Sequence, residues 1–360
     1  MKPLECKKEL QRFLEEKFRD CKAVVMPDFF LDRLINIEWG TDQFSDLISD
    51  VAKRKGGSLD GIPQVDLRGG NAINVASALA SLGVRVTPIV CTSESGLQQI
   101  KYHFKNIPIG TAHIKTLGKA SITTALEFKN KDEKANVMLR DLGALADFGP
   151  ANLDERDYSL IENADYVCLF NWAGTLKFGT ELAQAVFERA KRRGKCKTYY
   201  DTADPTPKAK ETSNLMEKVL KTDKVDILSL NENETITYAS LLDSDLKEKK
   251  TRLGFAEFAM KAARVLAKFV PARIDLHTTE FSATLKGKLE VAVPTFRVKV
   301  LRATGAGDAW NAGNILGDRN GLSDECRLML ANAVAASYLS DPDGLHPTRE
   351  KLANFLRTHI

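Results

Sequence analysis

The residues best suited to chemistry lie in Thr304-Gly305-Ala306-Gly307-Asp308. A β-rich run, Leu289 to Leu301, leads in, and a small-residue helical run, Ala309 to Leu316, leads out. The first turn of a helix leaves its N–H groups unpaired, and with the helix dipole they form an anion site. Gly305 and Gly307 let the backbone approach a charged ligand because neither has a Cβ. A phosphate bound there would repel Asp308 unless that carboxylate had a task. Taking the proton from a hydroxyl that attacks a phosphoryl group is such a task. A tight turn with Asp308 serving the helix dipole is the alternative reading.

A second glycine turn, Arg68-Gly69-Gly70-Asn71-Ala72-Ile73-Asn74, also enters a helical run of small residues, Ala72 to Leu82. Here amides flank the glycines. Amides both donate and accept, which suits sugar hydroxyls; capping by Asn71 or Asn74 fits equally. Asp32 follows the apolar run from Ala23 and falls where ligands collect in open α/β sheets, although Asp28 or Asp32 also suits a turn cap. Arg68 and Arg140 are candidates for a phosphate already on the substrate, or are solvated surface residues. Asn231-Glu232-Asn233-Glu234 offers Glu234 as a water-mediated Mg²⁺ ligand. The same spacing reads as a capping box.

These residues need a frame. From residue 150 onward, strand and helix patterns alternate, which predicts a mainly parallel sheet with helices on both faces. Asp201, Asn231 and His277 fall at strand ends. A hairpin is expected over Ser121–Phe128 and Ala135–Arg140, around the polar turn Asn130 to Lys134, and a second around Lys286-Gly287-Lys288. The first reads as a small β lid. Residues 1–22 read as a helical extension, with Leu4, Leu10, Phe13, Leu14 and Phe18 near one face. Residues 23–360 read as one domain, its lid strands drawn from about 28–68 and 121–140. The charge run Lys247 to Lys250 reads as a solvated loop.

With 52 basic and 48 acidic residues, the charge balance argues against a nucleic-acid or membrane-surface partner. No apolar run reaches the roughly 18 residues of a transmembrane helix. The N-terminus lacks the apolar core of a secretory signal. The six cysteines show no CxxC spacing and predict neither a metal site nor a disulfide framework, so cytoplasm is the expected location.

Together these motifs resemble the PfkB/ribokinase family of carbohydrate and nucleoside kinases, from about Val24 to the C-terminus. Thr304 to Gly313 is similar to the family's C-terminal signature, Gly69 to Ala76 to its N-terminal one, and Asn231/Glu234 lies between them. The resemblance implies a three-layer α/β/α fold with a small β lid, and a homodimer through that lid. It implies that Asp308 is the catalytic base and that the amides of Gly305, Ala306 and Gly307 form an anion hole. It places Asp32, Gly69, Gly70 and Asn74 at the acceptor, Thr304, Asn231 and Asn332 near the nucleotide, and Glu234 at Mg²⁺. The expected activity is Mg²⁺-dependent transfer from ATP, or from ADP, to a hydroxyl of a sugar or sugar phosphate. A nucleoside kinase and a non-catalytic binder are the alternatives. The chain departs from the family at Arg302-Ala303, where Asp-Thr is usual and serves a monovalent cation in many members. It also departs at His277 to Ser282, which lacks the usual glycines, and at Pro27 and Phe30.

Overall fold

The computed structural model describes residues 3–16, 18–130, 133–243, 246, 254–301 and 304–359. Arg302, Ala303, the Lys247–Lys250 run and part of the Asn130–Lys134 turn lie outside them. In chain order come α1 (Pro3–Glu15), β1 (Lys22–Met26), β2 (Phe30–Ile37), α2 (Thr41–Lys53), β3 (Gln64–Gly69), α3 (Asn71–Ser81), β4 (Arg85–Pro88), β5 (Cys91–Thr92), α4 (Glu94–His103), β6 (Lys115–Thr116), β7 (Ser121–Asn130) and β8 (Glu133–Asp141). They are followed by α5 (Glu155–Glu162), β9 (Tyr166–Phe170), α6 (Gly179–Lys191), β10 (Lys197–Asp201), α7 (Thr212–Leu215), β11 (Ile227–Leu230), α8 (Glu232–Ala239), α9 (Phe255–Phe269) and β12 (Arg273–His277). The last elements are β13 (Phe281–Lys286), β14 (Leu289–Pro294), α10 (Ala306–Asn320), α11 (Asp324–Leu339) and α12 (Arg349–His359).

The main sheet has eight strands among the described residues, in the order β14-β13-β12-β11-β10-β9-β1-β4. It is parallel from β12 to β4, and the β13/β14 hairpin extends it antiparallel. Its central strands are apolar on both faces, as a sheet covered on both sides requires. Val24, Val167, Leu169, Leu228 and Ile274 pack under α5, α6, α8 and α9. Ala23, Val25, Cys168, Tyr199 and Ile227 pack under α1, α3, α10, α11 and α12. This is the three-layer α/β/α fold that the sequence implies. Helix α1 joins the second core through Cys6, Leu10 and Leu14, with Cys6 Sγ 2.7 Å from Cys326 Sγ on α11.

A second sheet has the order β3-β2-β7-β8. The hairpin expected from the sequence supplies β7 and β8. Strand β2 adds parallel to β7, and β3 adds antiparallel to β2.

Helix α10 carries Asp308, Asn311, Asn314 and Asp318 at spacings of three and four, so they share one face. That face meets the sheet. Asn311 donates to Asp201 Oδ2 (2.7 Å) and accepts from Tyr199 Oη and Ser229 Oγ (2.7 Å each). Asn314 donates to Asp275 Oδ2 (2.8 Å). Arg327 (3.1 Å) and Arg273 (2.9 Å) neutralise Asp275, and Arg273 also pairs with Asp318 (2.5 Å). Two arginines beside Asp275 hold its carboxyl below the usual range against the cost of full burial. This ladder fixes the rotation of α10. Removing one partner of a buried pair leaves uncompensated charge. Arg327→Met should therefore cost about 3 kcal/mol, read by calorimetry as a Tm lower by about 4 °C.

Candidate active site

Gly305 precedes α10 in the left-handed region (φ 91°), and among the described residues no side chain caps the helix. The first-turn amides are left for a ligand. A Cβ at 305 would come within 2.8 Å of Tyr338 Oη, so the position accepts only glycine without a shift. One turn in, Asp308 is buried. Asn71 Nδ2 donates to its Oδ1 and Asn74 Nδ2 to its Oδ2, each at 2.9 Å. Burial raises its pKa well above the usual carboxylate value, the two amides pull it down, and Asp201 and Asp28 push it up. A carboxyl tuned this way takes up a proton readily.

The second glycine turn delivers those amides. Gly70 (φ 98°) precedes α3, and a Cβ there would lie 2.8 Å from Phe29 Cα. Helix α3 is capped by Asp28, which accepts from the Asn71 and Ala72 N–H groups (2.9 Å each) and from Asn171 Nδ2 (2.8 Å). Capping is thus done by Asp28, and the Asn71 and Asn74 side chains are spent on Asp308.

Two cavities flank the Gly305 turn, both in the size range of small-molecule sites. One, about 800 Å³, is lined by Asp32, Gly70, Asn71, Arg140, Asn171 and Thr304. The other, about 860 Å³, is lined by Glu232, His277, Ala306, Gly307, Trp310 and Asn332. The second sheet walls the first cavity. Asp32, Leu67, Thr123 and Arg140 are register partners across its four strands, so they share a face. Burial pushes Asp32 up to about 6, opposed by Thr123 and Arg140. Among the described residues its Oδ1 is buried with no hydrogen-bond partner. Gly69 lies so close that a Cβ would collide with Asp32 Oδ2. The Arg140 guanidinium sits over the Phe30 ring at 5.0 Å.

Other expected site residues fall elsewhere. Arg68 does not face this cavity with Arg140. It pairs with Leu31, one position out of the Asp32 row, so its side chain leaves by the opposite face. There it packs over Phe104 (5.6 Å) and bonds to His346 (3.0 Å). Asn231 and Glu234 line neither cavity. They form the capping box of α8, in which Glu234 accepts from the Asn231 N–H (2.9 Å) and Nδ2 (2.7 Å). Thr304, expected beside the nucleotide, lines the 800 Å³ cavity instead. Asn332 lines the 860 Å³ cavity, but its polar atoms serve Trp310, Ser282 and Pro294. The sequence does not mark Asn171 or Trp310 as site residues, yet each lines a cavity. Asn171 directly follows strand β9, and that position is the signal that finds it. His277, held neutral because burial pushes it down to about 4, has its ring 5.0 Å from that of Trp310.

The fold matches that of known kinases. A ribokinase from Arabidopsis thaliana, determined with ribose and ATP, is similar with a TM-score of 0.72 at 17% identity, over 94% of this chain and 99% of that chain. An adenosine kinase from Sinorhizobium meliloti gives 0.68 at 18%, over 95% and 99%. These define a ribokinase-like fold. The pfkB family carbohydrate kinase pattern matches residues 45–350, and the chain belongs to that family. In sequence it is 37% identical over 116 residues to the 2-dehydro-3-deoxygluconokinase of Bacillus subtilis (strain 168). That match takes in 31% of this chain and spans a third (33%) of the relative's length. Among the described residues no helix is long and apolar enough to cross a membrane.

The raised Asp32 pKa has a measurable consequence. Below about pH 4 the carboxyl is protonated in both folded and unfolded chains. As pH rises toward about 6, only the unfolded chain gives up its proton easily, and native stability is lost. Asp32→Asn avoids this, so its Tm relative to the parent should be higher at pH 8 than at pH 4. Thermal melts at the two values check it; an equal difference at both would contradict the assignment.

Proposed function

We propose that this protein transfers a phosphoryl group from ATP to a hydroxyl of a sugar-type molecule. One observation carries the reading: two cavities flank the glycine turn that opens α10, and one turn into that helix a buried carboxylate, Asp308, is held by Asn71 and Asn74. The acceptor occupies the 800 Å³ cavity, where the Asp32 carboxyl offers a partner for hydroxyls. The nucleotide occupies the 860 Å³ cavity. The second sheet acts as the lid and excludes water from the acceptor. Asp308 takes the hydroxyl proton, and the amides of Gly305, Ala306 and Gly307 stabilise charge on the transferred group. ADP in place of ATP would use the same geometry, with its β-phosphate transferred.

The acidic residues nearby suit Mg²⁺. Burial first, then Asp201, raise the Glu234 pKa far above its usual value, and Asp204 and Glu232 add to the repulsion. Burial raises Asp201 likewise. Carboxylates that repel one another favour a divalent cation held through water and phosphate oxygens. Glu234, whose two oxygens serve the α8 cap, would reach such an ion only through water, and Asn231 orients it. The ion would supply charge neutralisation on the donor phosphates.

Asp308→Asn should lower turnover about 10³-fold, within the span of general-base effects, while calorimetry still shows nucleotide binding. Turnover near that of the parent would refute the reading. The presence of Arg140 beside Asp32 supports an acceptor that also carries a carboxylate or phosphate, and the B. subtilis relative is named for a sugar acid. In a screen of ATP and ADP against sugars, sugar acids, sugar phosphates and nucleosides, Arg140→Ala should raise KM about tenfold for anionic acceptors, the worth of one charge-assisted contact. It should leave neutral acceptors unchanged. An equal effect on both kinds would count against an anionic acceptor.

A further inference from the structure

Arg68 belongs to the second glycine turn, yet it lines neither cavity. Its contacts lead to the first glycine turn. Arg68 Nη2 lies 3.0 Å from His346 Nδ1, and Ser77 Oγ of α3 lies at the same distance from that nitrogen. Arginine has only donors, so Nδ1 is an acceptor and the imidazole is neutral. The His346 ring stacks on Tyr338 at 4.7 Å and 19°. The Tyr338 hydroxyl donates to the Thr304 carbonyl at 2.9 Å, hard against the turn where only glycine fits.

A peptide unit is planar, so fixing its C=O also fixes the N–H on its other side. The Thr304 carbonyl shares its plane with the Gly305 N–H, one of the amides proposed to receive the transferred phosphoryl group. We infer that Tyr338, braced by His346 and Arg68, is a positioning residue that aims the Gly305 N–H and ties the second sheet to the phosphoryl site. Arg68 lies on β3, and Ser77 lies on the helix that carries Asn71 and Asn74. The strut therefore links the acceptor wall, the residues that hold Asp308 and the anion turn. This role rests on the phosphoryl-transfer reading, but it makes its own demand: the effect must be specific to the transferring group.

The test compares the parent protein with Tyr338→Phe, Arg68→Gln and the double variant. Phenylalanine keeps the ring stack and removes only the hydroxyl. Steady-state kinetics use the best donor and acceptor from the screen, and calorimetry measures binding of ADP alone and of ADP with aluminium fluoride, a mimic of the group in flight. Tyr338→Phe should lower kcat and weaken the aluminium fluoride complex about tenfold, below the full loss of an oxyanion donor. ADP affinity and both KM values should stay within about twofold. Arg68→Gln should lower kcat about threefold alone and add less than that to Tyr338→Phe, as members of one path do. The proposal is overturned if Tyr338→Phe keeps its kcat and its aluminium fluoride affinity. It is also overturned if ADP alone weakens equally, or if the two substitutions multiply independently. A parent protein that transfers phosphate to no acceptor would sink the enzymatic reading itself. The comparison of ADP with and without aluminium fluoride would still decide whether the strut shapes the anion site.

Discussion

Asp308 receives one amide hydrogen bond on each oxygen, from Asn71 and Asn74, across 237 and 234 positions of chain. An ionised carboxylate this deep is costly to bury. Those two donors are its direct compensation, and they come from a different glycine turn. The arrangement couples two helices, α3 and α10, that must meet before either turn has its working shape. Both turns depend on glycines where a Cβ would strike neighbouring atoms: Phe29 at position 70 and Tyr338 at position 305. The site is therefore the meeting point of two backbone constraints, and the carboxylate sits where they meet.

The same helix is registered against the sheet by polar contacts along its length. Asn311, Asn314 and Asp318 continue the stripe that Asp308 begins, each bonded to a strand residue or an adjacent helix. Apolar packing alone allows a helix to slide or rotate by small amounts at little cost. A row of directional hydrogen bonds does not. Asp308 is held both from its own end and from the far end of its helix.

Much of this was legible in the sequence. The two glycine turns and Asp308 were readable because their constraint is local: only certain residues fit at the mouth of a helix. The parallel core was readable because strand and helix patterns alternate from residue 150 onward. What escaped depended on register. Arg68 and Arg140 look equivalent in the sequence, but pairing with strands far along the chain places Asp32 on one row and Leu31 on the next. One residue of offset sends the two arginines to opposite faces. The Asn231/Glu234 pair shows the reverse case, since its capping geometry is local and was available from spacing alone. Asn74 was expected at the acceptor, and its true partner could be found only by knowing that α3 and α10 are neighbours.

The Asp32 row and the Gly305 turn belong to separate parts of the fold. Asp32, Thr123 and Arg140 ride on strands that share no backbone ladder with the main sheet. Their side chains can change without disturbing the strands that carry Asp201 or the helix that carries Asp308. A lineage with this fold can rewrite that row of a small sheet and keep the Gly305 turn intact while doing so.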